Sequence, residues 1–68
     1  MAQQRQSRFL DQCRPGDVVE IRKLAPEGVI WEPATLDYID RSRMVATLSD
    51  GVRMPMRRSS LDVRAPQG

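Results

Sequence analysis

The chain has 68 residues, with eleven basic side chains against nine acidic ones for a formal charge of +2, one cysteine and no histidine. That length holds one small domain, and a composition of 40% hydrophobic and 29% charged residues suits a folded chain rather than a disordered tail. Cys13 alone rules out an internal disulfide, and without histidine the chain has no Ser-His triad, no Cys-His pair and no zinc-ligand set of its own. No catalytic residue, metal ligand or cofactor is therefore assigned, and an enzyme is not expected. No apolar run approaches the ~18–20 residues of a membrane helix, and the start Met-Ala-Gln-Gln-Arg lacks an apolar signal core. The expected location is cytoplasmic, with no membrane partner and no evident small-molecule substrate. A core this small supplies only about 3–5 kcal/mol, so a partner or a second copy could add stability.

In chain order, residues 1–8 are polar and aperiodic and are expected to fray. A helical turn is predicted over Ser7 to Cys13, with Ser7 as N-cap and Phe9 and Leu10 folded back onto the domain. Arg14-Pro15-Gly16-Asp17 reads as a turn, with proline and glycine at its two corners. The first strand spans Val18–Leu24, and Pro26-Glu27-Gly28 opens a loop running to about Glu32. The second strand spans Ala34–Ile39, with Pro33 tolerated at its head. A polar turn, Asp40 to Arg43, leads to a third strand over Met44–Leu48. Ser49-Asp50-Gly51 is a tight hairpin signal, because glycine takes positive φ at low cost. The fourth strand, Val52–Arg57, places Val52, Met54 and Met56 on one face, and Pro55 marks it as an edge. A single turn over Arg58–Leu61 precedes a short last strand, Asp62–Arg64. The predicted fold is all-β: a five-stranded barrel over 14–64, with a tail and helical turn over 1–13 and a tail over 65–68. Closure would remove the sheet edges that expose short β chains to aggregation.

The stretch from Trp31 to Val63, WEPATLDYIDRSRMVATLSDGVRMPMRRSSLDV, resembles the Tudor and agenet branch of the SH3-like barrels. The shared pattern is an aromatic residue, Pro-Ala-Thr-aliphatic, an Ile-Asp strand end, an aliphatic strand, a tight glycine turn and a Ser-x-Leu-type turn before the last strand. Pro-Gly-Asp-Val-Val fits the start of the family's first strand. The resemblance covers roughly residues 15–64 and implies a binding barrel, since such barrels hold peptides, RNA, DNA or one another. Tudor domains that read methylated Arg or Lys use a cage of about four aromatics. This chain has three aromatics in all: Phe9, Trp31 and Tyr38. Trp31 matches the first cage wall, Tyr38 matches no second wall, and Leu48, Ser49 and Asp50 stand where further walls would be. A full cage is absent.

Charge placement then becomes the stronger guide. Ten of the eleven cations are arginine, and the whole +2 falls in residues 35–68. Arginine's planar donor fork suits phosphate and carboxylate, although a GC-rich codon preference produces the same bias. Period-two alternation sets Arg53, Pro55 and Arg57 outside together, with Arg41, Arg43 and Arg58 close by. No acid lies between Gly51 and Ser60. This strip suits phosphate contacts, with Trp31 and Tyr38 as further contact residues; the alternative is an ordinary solvated face, with Trp31 packed over the barrel mouth. The methionines either fill an irregular core or adapt to an apolar partner. Cys13 is either lowered in pKa by Arg14 or half-buried and inert. Two functions stand: a module binding DNA or RNA through the arginine strip, and a protein-interaction or self-assembly module, including a homo-oligomer.

Overall fold

β-Branched residues in alternation with polar ones build the first long hairpin. In the computed structural model, which describes residues 9–67, strand β1 spans Val18–Ala25 and β2 spans Gly28–Ile39. Their antiparallel register runs without a break from Val18↔Thr35 to Ala25↔Gly28. Pro26 and Glu27 thus form a two-residue connection and not the opening of a loop to Glu32. Pro26 cannot take the positive φ that tight hairpins favour, and Gly28, at φ +130°, supplies it two positions later. The remaining strands are β3 (Arg43–Leu48), β4 (Arg53–Arg57) and β5 (Val63–Arg64), in the sheet order β4-β3-β2-β1-β5. All four pairings are antiparallel.

Two predicted turns form as read. Asp17 N–H donates to the Arg14 carbonyl at 3.0 Å across Pro15 and Gly16, and the Arg14 amide donates to the Asp17 carboxylate at 2.9 Å. At the β3–β4 hairpin, Gly51 N–H donates to the Leu48 carbonyl at 2.9 Å, and the Asp50 side chain accepts from Val52 N–H. Pro55 lies on β4, which pairs only with β3, so the missing N–H leaves a sheet edge rather than a gap in the ladder. The ladder ends at β4 and β5, which do not pair with each other. Predicted closure of the sheet's hydrogen bonding is therefore not observed, for β5 has only two residues and both pair with β1.

The core lies on one face of this sheet. Val19 and Ile21 of β1, Ala34 and Leu36 of β2, Met44, Ala46 and Leu48 of β3 and Val63 of β5 are buried. Met54 and Met56 pack against them as core filler. A single flat sheet leaves such a face in water, so the sheet must curl over itself, and a concavity lined by Ile21 of β1 with Leu48, Val52 and Met54 records that curl. Val52 precedes β4 and is half exposed at this opening, rather than lying inside the strand. Helical backbone at 9–11 buries Leu10 and packs Phe9 and Cys13 against the core. The predicted N-cap Ser7, the stretch 1–8 and Gly68 lie outside the described residues. Burial first, and then the Asp17 carboxylate, push the Cys13 thiol above its ordinary pKa despite Arg58. That favours the inert reading of Cys13 over the activated one.

Candidate functional site

Strict alternation along β2 would turn Tyr38 inward after Ala34 and Leu36. The register instead shifts between Leu36 and Tyr38: Leu36 faces Ala46, but Tyr38 faces Val45 and Ile39 faces Met44. Asp37 is the extra residue of a β-bulge, which reverses the facing of the residues after it. Tyr38 thereby stands on the outer face, 49% exposed, and Ile39 packs against the core in its stead.

Three rows cross the outer face of β2, β3 and β4 at this point. Val45 faces both Tyr38 and Pro55, giving an apolar row. On one side, Thr47 faces Arg53. There the Thr47 hydroxyl donates to the Asp37 carboxylate, which also lies 3.8 Å from the Arg53 Nε. On the other side, Arg43 directly faces Arg57. Like charges opposite one another destabilise a strand pair, yet among the described residues Arg41, Arg43 and Arg57 form no ion pair. These arginines line a shallow concavity of about 370 Å³ with Ser42 and Ser59.

The neighbouring carboxylate, Asp40, is already engaged. Its Oδ1 accepts the backbone N–H groups of Ser42 and Arg43 at 2.8 Å each, and its Oδ2 accepts the Tyr38 hydroxyl. These bonds, the Tyr38 one foremost, and to a lesser degree the nearby Arg43 charge lower the Asp40 pKa to about 2, and the contact with Asp40 raises that of Tyr38. The polar turn predicted over 40–43 is thus organised by Asp40, which holds Arg41 and Arg43 at the end of the sheet.

The other predicted contact residues go elsewhere. Arg58 is part-buried; its side chain donates to the Asp40 carbonyl at 3.1 Å and pairs with Asp11, fastening the helical turn to the sheet. It comes directly after Arg57 in sequence but does not extend the strip. Trp31 lies in the middle of a continuous strand, not at the end of a loop over a barrel mouth. It sits outward, opposite Arg22, with the Arg64 guanidinium 4.1 Å from its ring centroid. Arg64 pairs with Glu20 at 2.7 Å and Arg22 with Asp62 at 2.8 Å, so this cluster is internally satisfied. Eight residues of strand, roughly 25 Å when extended, separate Trp31 from the Ile39 end of β2 where Arg43 and Arg57 meet.

The structure thus joins Arg41, Arg43, Arg57 and Tyr38, leaves Arg53 beside them with Asp37, and sets Arg58 and Trp31 apart. Sequence reasoning misses Ser42 and Ser59 in the concavity and Arg64 over Trp31. The parity conflict at Tyr38, an aromatic in a core register beside Asp37, is the one available signal. Among the described residues, no group of three or more Cys, Asp or Glu side chains could hold a metal ion, and no helix is long and apolar enough to cross a membrane. No protein-family model, no curated protein and no solved structure matches this chain.

Proposed function

We propose that the chain is a small non-enzymatic binding module of SH3-like, Tudor-type architecture that contacts nucleic acid through the outer face of β3 and β4. The observation carrying this reading is the direct pairing of Arg43 with Arg57, with Arg41 alongside and no ion-pair partner for any of them among the described residues. A bridging phosphate would accept from both guanidinium forks and relieve their repulsion. Five antiparallel strands, a tight glycine turn and one turn before the last strand support the architecture. Methyl-cation reading is not part of the proposal, because Trp31 is already stacked by Arg64 and has no second aromatic wall.

The test is a titration of a labelled oligonucleotide at several salt concentrations. Three phosphate contacts give a log–log salt slope of roughly −2 on a single strand. The doubly substituted protein, Arg43→Ala with Arg57→Ala, should lose about two-thirds of that slope. No binding at low salt would overturn the reading.

One observation favours the second reading, a protein-interaction or self-assembly module. Leu24, 78% exposed, faces Val29, 51% exposed, at the tip of the β1–β2 hairpin. Sedimentation of the intact protein and of Leu24→Lys distinguishes it: a concentration-dependent dimer lost in the variant supports assembly.

A further inference from the structure

We propose that the ligand of the arginine face is a single strand, with one base stacked on Tyr38 and the adjoining phosphates held by Arg43 and Arg57. This rests on the nucleic-acid reading above and narrows it. Phosphates alone do not distinguish strand from duplex, since both present them. The aromatic does. In a duplex every base face is occupied by its neighbours, so an exposed ring on the contact surface has nothing to stack on. In a single strand the base faces are available, and aromatic stacking combined with a basic track is how such strands are held.

Three features place Tyr38 to serve this role. The bulge at Asp37 turns it out of the core register, and bulges re-aim side chains in this way at functional surfaces. Its cross-strand partner is Val45, so Arg43, two residues along β3, is its diagonal neighbour on the same face. Its hydroxyl is tied to Asp40, which restrains the ring, while about half of the residue stays exposed to solvent. The row Tyr38–Val45–Pro55 is then an apolar strip beside the Arg43–Arg57 pair, offering a surface for a base next to a site for its phosphate.

The experiment measures affinity of the intact protein for a ten-nucleotide oligothymidylate and for a duplex of equal length, using wild type, Tyr38→Ala, Tyr38→Phe and the Arg43→Ala/Arg57→Ala protein. Wild type should prefer the single strand by about tenfold or more, the scale of one stacked base. Tyr38→Ala should lose that preference and keep its duplex affinity, while Tyr38→Phe, which keeps the ring and loses the bond to Asp40, should retain it. In wild type the Tyr38 ring protons should move upfield on adding the oligonucleotide, a readout that needs no variant. Equal affinity for strand and duplex, with Tyr38→Ala unchanged and the arginine variant weakened, overturns the stacking proposal and leaves the nucleic-acid reading intact. Binding to neither ligand overturns both.

Discussion

The outer face of the sheet carries two clusters of the same composition, an aromatic ring among arginines, and they differ in one respect. Around Trp31 every arginine has a carboxylate: Arg22 has Asp62 and Arg64 has Glu20. Around Tyr38 the nearest carboxylate, Asp40, is engaged by two backbone amides and the tyrosine hydroxyl, and Arg41, Arg43 and Arg57 have no ion pair among the described residues. The first cluster clamps β5 onto the β1–β2 hairpin, since both ion pairs join β1 to β5 or to the residue before it. The second does no such joining; Arg43 and Arg57 oppose the pairing of β3 with β4. An arginine–aromatic cluster is thus read by what its neighbours already satisfy rather than by its residue types.

The largest expected effect removes the scaffold beneath both clusters. Leu36→Ala empties a fully buried site and should cost about 2–5 kcal/mol, comparable with the whole stability of so small a core; loss of the cooperative thermal transition checks it. Next, Trp31→Ala should lower stability by about 2 kcal/mol in denaturant melts, because a half-buried ring and its cation–π partner are lost, with oligonucleotide affinity unchanged. Arg64→Ala should cost about 1 kcal/mol by the same measure. Arg43→Ala reverses the pattern: stability unchanged or raised by a few tenths of a kcal/mol, with nucleic-acid affinity reduced. The smallest effect is on pH dependence. The folded Asp40 pKa is depressed, so its contribution is present above the ordinary carboxylate range and is lost as pH falls toward about 2. Asp40→Asn should flatten the acid limb of the melting curve in that window.

Much of the fold is legible in the sequence because local chemistry determines it. Pro15-Gly16 and Asp50-Gly51 specify their turns, alternation in β4 separates Met54 and Met56 from Arg53 and Arg57, and Pro55 marks an edge. The β1–β2 connection escapes a local reading because Pro-Glu-Gly resembles a loop opening, and only the long register from Val18 to Ala25 shows that pairing continues. The site is half legible. Arg41, Arg43 and Arg57 are found by their spacing, but the capture of Arg58 by Asp11 is a contact across 47 positions that no local pattern announces. Residue order alone favours Trp31 over Tyr38 as the stacking ring, because the bulge that exposes Tyr38 and the Arg64 that covers Trp31 are both tertiary facts.

The most direct test maps backbone and side-chain NMR shifts while a single-stranded oligonucleotide is added. Tyr38, Arg41, Arg43, Arg57 and Ser59 should move together, while the single Trp31 indole N–H and the Arg22 and Arg64 signals stay in place. Shifts centred on Trp31, with the Arg43–Arg57 pair silent, would contradict it.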